Sequence, residues 1–585
     1  MKKINSDKST EWQIDDLDLK ALSGRLSRRS FIARLIQLGV SLSAAGAMAT
    51  RTASAWSGRD ALRDEYDYII VGAGSAGCVM ADRISATGAS VLLIEAGTDQ
   101  VDQPTIVDSY RWVENFGSDL DWNRSILPQM PLNDRQLYAA AGKVLGGSGS
   151  INGMLWFRGD MRDALRWQQL VGPGWKPSKL YKAFLRVENF LPGGSPYRGS
   201  TGVISVGRYA SDNPITAASI AGAKKLGLPP VDHNASAFID GAGVADVNIL
   251  PNGRRSGPAQ TYLVRALKRD NFTVLSDVLV TGLNLNGSSC RGVNAVVDGQ
   301  ARHFAASREV VLSGGAFGSP RLLMLSGIGP EDVLRAAGVT VRHRLSYVGR
   351  NLHDHMILPG IRFYAGPELS PSETYGRVAS HSFFRTNSID AAPNIQVMCM
   401  QGFFPPNPLT AGEGFNIMPW LAKVESRGSL ALTSADPRVS LAIDPGYLRE
   451  DVDRETLLAG LDYAISLGLT EAMAPFSIGL RSPASPFMTR EEKLAFITAN
   501  ASPGVHYVGT CSAGRDPNYS VVNQDFRVWG IDGLRVVDAS VIPEVPGVNP
   551  QGLILALAEL AAETMGYAPT DHPQQSVGID ESTVT

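Results

Sequence analysis

The sequence predicts a mixed α/β fold with one mainly parallel sheet and a second, antiparallel sheet. Three observations predict it. A strand, a glycine-rich turn, a helix and a second strand follow one another between residues 66 and 95, and a second strand–turn–helix unit begins at Arg308. Residues 356–500 contain strands and loops with few motifs. Strands that alternate with helices are typical of parallel sheets, whereas successive strands without helices form antiparallel ones.

The first unit has the pattern of a dinucleotide-binding βαβ motif. An apolar strand over 66–71 is followed by a G-x-G-x-x-G sequence, a helix to about residue 87 and a strand over 90–94. In this motif the three glycines allow a tight turn, the approach of a pyrophosphate to the helix N-terminus and close packing of the helix on the strand. An acidic residue at the end of the second strand, here Glu95, binds the ribose hydroxyls. The alternative is a glycine-rich turn without a ligand. The predicted contacts are Gly72, Gly74, Ser75, Ala76, Gly77 and Glu95.

The second unit extends the same sheet. Residues 308–312 predict a strand, the two following glycines a turn, and Ser319 and Pro320 the N-cap and first position of a helix. Between residues 273 and 304 polar and apolar residues alternate around an Asn-Gly pair at 286, which predicts a short antiparallel meander.

Composition limits the class of protein. The chain has 585 residues, of which 44% are hydrophobic and 19% charged, so it can bury a large core in more than one domain. Residues 1–55 carry nine basic and five acidic side chains, so the rest carries a net charge of −7 and we expect no nucleic-acid partner. The four cysteines are too scattered to indicate a disulfide framework or a zinc site.

Residues 1–55 predict an export leader. The sequence Ser-Arg-Arg-Ser-Phe-Ile at 27–32 precedes a weakly apolar run over 35–47 and the small residues at 53–55. This order is that of a twin-arginine (Tat) signal, which carries folded protein to the periplasm or beyond. The run is shorter than the roughly 20 apolar residues that span a bilayer, and no membrane span is predicted in the mature chain. The alternative is an amphipathic surface helix.

Six stretches resemble the glucose-methanol-choline (GMC) oxidoreductases and follow the order of that family. Residues 142–159 and 315–329 are similar to its two signature sequences. The shorter matches are 348–355, 426–430, 506–514 and 534–540. The resemblance implies a Rossmann-like FAD-binding domain of the GMC and glutathione-reductase type, interleaved with a substrate domain built on an antiparallel sheet. The implied parts of the FAD-binding domain are 64–215, 245–355 and 501–570, with a mainly substrate-binding segment at 356–500 and a flexible tail at 571–585.

The resemblance also assigns contacts to FAD. Val278 matches a position that holds the adenine, and Asp538 one near the ribityl chain and pyrophosphate, with the start of a turn as its alternative role. Ile151 stands where relatives with a covalently attached flavin have His, so non-covalent FAD is implied. Gln551 replaces the small polar residue of many relatives. The remaining implied contacts are Val144, Gly147, Ser148, Asn152, Gly153, Ala539, Asn549, Pro550 and Gln551.

A hydride transfer from an alcohol carbon to flavin N5 needs a base for the hydroxyl proton, and His is suited to it at neutral pH. The resemblance implies His506 as this base and Asn549 as the partner that orients the substrate oxygen. A merely packed His506 is the alternative. Since Pro550 fits a first helical position, Asn549 is also predicted as an N-cap, which competes for its side chain. The His-Asp-His sequence at 353–355 has too few ligands to predict a metal site.

The implied activity is FAD-dependent oxidation of a small-molecule alcohol to an aldehyde or ketone, as in choline dehydrogenase-like enzymes. The electron acceptor stays open between a quinone, another carrier and O2. Relatives of the hydroxynitrile lyase or photodecarboxylase type keep the fold and FAD without this activity, and a non-enzymatic carrier is a further alternative. Five aromatic residues are predicted to fill core instead of lining a substrate pocket: Phe383, Phe384, Phe403, Phe404 and Trp420.

Overall fold

The fold is described from a computed structural model over residues 28–37, 62–369, 378–386, 391–402 and 414–569. Arg28 and Arg29 begin a helix, whereas most of the predicted leader, Phe403, Phe404 and the predicted tail lie outside the described residues. Within these ranges no helix combines the length and apolar character needed to cross a membrane.

The helices and strands are numbered in chain order over the described residues. The helices are α1 (Arg28–Gln37), α2 (Ser75–Ser85), α3 (Pro104–Val107), α4 (Ser148–Ile151), α5 (Met161–Val171), α6 (Pro177–Val187), α7 (Pro214–Lys225), α8 (Val264–Leu267), α9 (Gly315–Leu325), α10 (Glu331–Ala336), α11 (Asp451–Gly468), α12 (Arg490–Asn500) and α13 (Gln551–Thr564). The strands are β1 (Glu65–Val71), β2 (Val91–Ile94), β3 (Arg124–Ser125), β4 (Tyr138–Ala139), β5 (Glu188–Phe190), β6 (Ile204–Val206), β7 (Gly241–Val244), β8 (Phe272–Leu275), β9 (Leu279–Asn286), β10 (Ser289–Val297), β11 (Gln300–Leu312), β12 (Ile328–Gly329), β13 (His343–Arg344), β14 (Arg350–Leu352), β15 (Met356–Ile357), β16 (Arg362–Ala365), β17 (Val378–Phe384), β18 (Ile395–Gln401), β19 (Gly414–Leu421), β20 (Gly428–Ala431), β21 (Ala442–Asp444), β22 (Ser477–Ser482), β23 (Ser502–Pro503) and β24 (Leu534–Val536).

The first large sheet has the strand order β8-β2-β1-β11-β10-β9, with β24 also paired to β11. Strands β8, β2, β1, β11 and β24 pair with one another in parallel, which confirms the predicted α/β layer. Ile69 and Ile70 in the centre of β1 are fully buried, as expected for a parallel strand that is covered on both faces. Helix α13 packs against α2 and α6 and brings the C-terminal segment back to this sheet.

The predicted meander is present, with a shifted start. Strands β9, β10 and β11 pair in antiparallel order, and β9 ends at Asn286 with Gly287 at a φ of +57° in the turn. Residues 273–275, at the start of the predicted meander, belong to the parallel strand β8 instead. The long strand β11 therefore belongs to the meander at its start and to the parallel sheet at its end.

The second large sheet has eight strands, in the order β22-β16-β19-β18-β17-β7, with β15 and β23 at the end of β19. All of its pairings are antiparallel, which confirms the predicted character of the second sheet. Helix α11 packs on β18 and β19, and α7 on β7 and β17. The strand β7 comes from residues 241–244, so a segment before 356 also contributes to this sheet.

The predicted start of helix α9 is wrong. The helix begins at Gly315 after the N-cap Gly314, and Pro320 lies inside it. The proline leaves the Ala316 carbonyl without its helical donor, and the Thr510 hydroxyl donates to that oxygen at 2.6 Å. The Ser319 hydroxyl accepts the Gly314 N–H at 3.0 Å, one turn before its own position. The Thr510 hydroxyl, from a distant segment, thus makes Pro320 acceptable inside the helix, although sequence preferences place proline at a helix start.

Candidate active site

Glycines shape the turn between β1 and α2 at positions where a side chain would clash. Gly72 has a φ of +100°, and a Cβ there would lie 2.4 Å from the Ser313 carbonyl oxygen. A Cβ at Gly77 would lie 1.9 Å from the Gly72 carbonyl oxygen, so α2 packs on the turn only without a side chain. At the N-cap Gly74 a Cβ would meet only the Ser313 oxygen, at 3.8 Å. The N-terminus of α2 therefore opens toward a neighbouring cavity.

This cavity has a volume of about 570 Å³ and extends from the parallel sheet to the antiparallel one. Most residues predicted to bind FAD or substrate line it, namely Gly72, Gly74, Ser75, Ala76, Glu95, Gly147, Ser148, Asn152, Gly153, Val278, His506, Asp538, Ala539, Asn549, Pro550 and Gln551. Gly77 and Val144 do not belong to the lining. Gly77 packs against the turn, and Val144 is fully buried and forms a bridge with Thr98.

The carboxylate of Glu95 is already bound to the turn. Its oxygens accept the N–H groups of Ala73 and Gly97, each at 2.8 Å. Burial raises the pKa of Glu95, and these N–H groups oppose that shift. Glu95 also lines the cavity, so its predicted contact with ribose hydroxyls stays a prediction.

Asp538 connects the start of α9 to the C-terminal segment. One oxygen accepts the Gly315 N–H at 2.9 Å and the Ser319 hydroxyl, and the other accepts the Ser540 N–H at 2.8 Å. Burial raises the pKa of Asp538, while these donors favour the carboxylate. Asp538 therefore does more than begin a turn, because its contacts hold the second glycine-rich turn at the cavity.

The His-Asp-His sequence is occupied by hydrogen bonds within the protein. His353 bonds backbone groups through both ring nitrogens. Asp354 accepts the N–H groups of Val505 and His506 and, at 2.6 Å, the Tyr447 hydroxyl. Burial raises the pKa of Asp354 to about 7. These contacts hold the segment that carries His506.

The third residue of that sequence, His355, determines where the proton of His506 lies. His355 Nε2 is 2.9 Å from the Pro546 carbonyl oxygen, which only accepts, so this nitrogen carries the hydrogen. His355 Nδ1 is then an acceptor, and it lies 2.9 Å from His506 Nδ1, which must be the donor. His506 Nε2 therefore keeps its lone pair. This tautomer is inferred from the hydrogen-bond network.

Both rings are neutral at pH 7. Burial, together with the neighbouring His355, lowers the pKa of His506 well below its usual range. Burial lowers the pKa of His355 to about 4. Since only a neutral imidazole accepts a proton, His506 is in the form that a general base requires.

The lone pair of His506 faces an oriented amide. Asn549 Nδ2 lies 3.2 Å from His506 Nε2, and Asn549 Oδ1 accepts from Gln396 Nε2 at 3.3 Å. Gln396 Nε2 also lies 2.9 Å from His381 Nδ1. Because Gln396 donates to the amide oxygen, the amide NH2 of Asn549 is directed to the base.

The predicted capping role of Asn549 is wrong. Pro550 is the N-cap of α13, the helix begins at Gln551, and no side chain caps it. The Asn549 amide is used by His506 and Gln396 and does not compete for two roles.

One aromatic residue predicted as core lines the cavity. The Trp420 ring stacks on the His506 ring, with centroids 5.3 Å apart and planes inclined by 21°. Phe383 is fully buried against Phe157, with ring centroids 5.5 Å apart, and Phe384 packs at the edge of the core. Trp420 packs in a small core cluster, as predicted, and lines the cavity as well.

Comparison with known proteins gives the family. Sequence profiles of the GMC oxidoreductases match residues 66–357 and 424–558. The chain belongs to the GMC oxidoreductase family. It is 32% identical to oxygen-dependent choline dehydrogenase of Photobacterium profundum, over 86% of this chain and 94% of that protein. It is 33% identical to human mitochondrial choline dehydrogenase, over 87% and 91%. The crystal structure of pyridoxine 4-oxidase from Mesorbium loti is 31% identical and superposes with a TM-score of 0.81, over 86% of this chain and all of that one.

GMC oxidoreductases depend on FAD and oxidise alcohols, and the lining of this cavity fits that cofactor. The Ser75 hydroxyl donates to Gln551 Oε1 at 3.0 Å, so the N-termini of α2 and α13 meet at the cavity. Helix N-termini attract negative charge through their free N–H groups. The first would hold the pyrophosphate of FAD, and the second would stabilise negative charge on the flavin ring.

The sequence predicts no catalytic role for three residues that contact the catalytic pair of this GMC site. His355 lay within a stretch resembling the family, but its spacing from His506 along the chain conceals their contact. Gln396 had no motif, although its place on β18 puts it beside Asn549. Trp420 and Met418 are two residues apart on β19 and therefore share one face of the sheet. The sequence shows this spacing, but the spacing is the same whether the face meets core or a cavity.

Proposed function

We propose that this GMC oxidoreductase oxidises a primary or secondary alcohol to the aldehyde or ketone, with His506 as general base and Asn549 as the group that orients the substrate oxygen. One observation carries the proposal. The hydrogen bonds from Pro546 through His355 to His506 leave Nε2 of His506 as an acceptor in the cavity, next to the amide donor of Asn549.

The two side chains suit the two needs of an alcohol group. A substrate hydroxyl entering between them donates to His506 Nε2 and accepts from Asn549 Nδ2, in place of the 3.2 Å contact between these atoms. His506 takes the hydroxyl proton, and Asn549 stabilises the negative charge that develops on oxygen. FAD, when bound, supplies the hydride acceptor. His355 and Gln396 keep the ring and the amide in the orientations that these roles require.

Anaerobic mixing with a panel of alcohols tests the proposal. The panel includes choline and pyridoxine, which the names of relatives suggest. We expect at least one alcohol to bleach the flavin in the dark with formation of its carbonyl product. A lyase or a light-dependent decarboxylase would leave the flavin oxidised under these conditions, and that outcome across the panel would refute alcohol oxidation. Readmission of O2 or addition of a quinone then identifies the acceptor.

FAD is proposed to be non-covalent, because Ile151, which lines the cavity at the position where attached relatives have His, has no nucleophilic atom. Acid precipitation is expected to leave the yellow colour in the supernatant. A yellow pellet would show a covalent bond.

Export through the Tat route to the periplasm is a further proposal, supported by the Arg28-Arg29 pair and the short apolar run after it. Replacing both arginines by Lys is expected to retain the enzyme in the cytoplasm. Unchanged amounts outside the cytoplasm would contradict it.

A further inference from the structure

One face of the antiparallel sheet forms an apolar side of the cavity. Side chains two residues apart on a strand share a face, so Met398 and Met400 on β18 lie beside Met418 and Trp420 on β19. Met398 is directly opposite Met418 in the pairing of the two strands. The apolar wall, as we call it, consists of Leu155, Ile357, Val378, Met398, Met400, Met418 and Trp420, which pack together and line the cavity.

The apolar wall starts at the catalytic pair. Trp420 stacks on His506, and Gln396, which is opposite Trp420 in the strand pairing, donates to Asn549. From Gln396 to Met400 the strand advances by four residues, or roughly 13 Å. A molecule whose hydroxyl reaches His506 thus has an apolar surface beside the rest of its length.

The apolar wall contains no carboxylate, and the carboxylates in the rest of the cavity lining are held by hydrogen bonds. In the part of the chain that the structure describes, the carboxylates of the lining are Glu95, Asp121 and Asp538. Each accepts backbone N–H groups, and Asp121 accepts those of Asn123 and Ala141. The wall itself contributes no charge to balance a cation. Burial of an unpaired charge against apolar side chains is costly.

We infer that the substrate is an uncharged alcohol with an apolar body, bound with its hydroxyl at His506 and Asn549 and its body along the apolar wall. The inference rests on the proposed function and goes beyond it by naming the substrate class. It separates this chain from relatives named for choline, whose trimethylammonium group is a permanent cation. The three thioethers of the wall are flexible and polarisable, so we expect tolerance toward the shape of the apolar body.

A matched pair of alcohols tests the charge requirement. Choline and its carbon isostere, in which a tert-butyl group replaces the trimethylammonium group, have the same shape and differ in charge. We expect the rate constant of anaerobic flavin reduction divided by the apparent Kd to be on the order of 100-fold higher for the isostere. Equal or faster reduction by choline would overturn the inference while leaving alcohol oxidation intact. If neither these two nor longer apolar alcohols reduce the flavin, the proposed function fails as well.

Polar replacement in the apolar wall supplies a second test. Met418→Gln keeps the approximate volume and adds an amide, so we expect the same ratio to fall about 10-fold for apolar alcohols, with the FAD content retained. Met130→Gln is the matched control, because Met130 is 79% exposed and does not line the cavity. The factor by which this ratio for the isostere exceeds that for choline should decrease in Met418→Gln and stay at the wild-type value in Met130→Gln. An unchanged preference in a Met418→Gln protein that retains FAD would contradict contact with the apolar wall.

Discussion

The two ends of the cavity are built in different ways. At the dinucleotide end the cavity is shaped by backbone atoms, and Gly72 and Gly77 are required because a Cβ at either position would clash with a neighbouring carbonyl oxygen. At the catalytic end, side chains from distant segments meet: His355 orients His506, and Gln396 orients the Asn549 amide that faces it. Cofactor retention and proton transfer should therefore be separable. Substitutions confined to one end test this separation.

The largest expected effect is at the catalytic end. His506→Ala removes the proton acceptor and should slow anaerobic flavin reduction by about 10²–10⁴-fold, or roughly 3–5 kcal/mol in the barrier. FAD content and the unfolding temperature should stay close to wild type, because the ring does not belong to the glycine-rich turns. Stopped-flow absorbance with the best alcohol of the panel measures the rate.

The matched control for His506→Ala is His303→Ala, which changes an exposed histidine on the meander. Its reduction rate should equal that of wild type. An undiminished rate in His506→Ala would show that another group accepts the proton, and loss of FAD from that variant would contradict the separation of the two ends.

A smaller effect is expected for a substitution at the dinucleotide end, and it concerns FAD binding and stability. In Gly77→Ala the new Cβ would overlap the Gly72 carbonyl oxygen, so the turn must shift at a cost of about 1–3 kcal/mol. We expect a lower FAD occupancy and a lower unfolding temperature, with a normal reduction rate in the fraction that retains FAD. The ratio of flavin to protein absorbance measures the occupancy.

Gly282→Ala serves as the control for Gly77→Ala, since a Cβ there meets no atom within 4 Å. It should bind FAD as wild type does. Full occupancy in Gly77→Ala would mean that the turn can relax and that its close packing is not needed for the cofactor.

The same contrast explains what the sequence could predict. The turn around Gly72 depends on residues a few positions apart, so its strand–turn–helix order was visible in the sequence and is present in the structure. The pairing of His355 with His506 joins positions 151 residues apart, and no local pattern encodes it. Resemblance to the family supplied His506 and Asn549 as candidates without their tautomer or orientation.

Errors arose where a distant partner replaced a local one. The sequence predicts Pro320 at a helix start because nothing nearby shows that the Thr510 hydroxyl supplies the missing donor to the Ala316 carbonyl. The sequence predicts Asn549 as a cap because its hydrogen-bond partners Gln396 and His506 come from other segments. For Trp420 the sequence predicts the core contact and not the cavity contact, because a strand that faces a cavity and a strand that faces core have the same period.

The smallest effect, and the sharpest test of the orientation argument, is expected for Asn549→Ala. The variant loses one hydrogen bond to the substrate oxygen but keeps the base, so flavin reduction should slow about 10-fold, near 1.4 kcal/mol. Since Asn549 does not cap α13, the unfolding temperature should hardly change.

The control is Asn213→Ala, because the Asn213 side chain does cap α7, accepting the Ile215 N–H at 3.3 Å. That control should lose about 1 kcal/mol of stability and keep its rate. If Asn549→Ala instead lost stability with an unchanged rate, the amide would serve the fold and not the substrate.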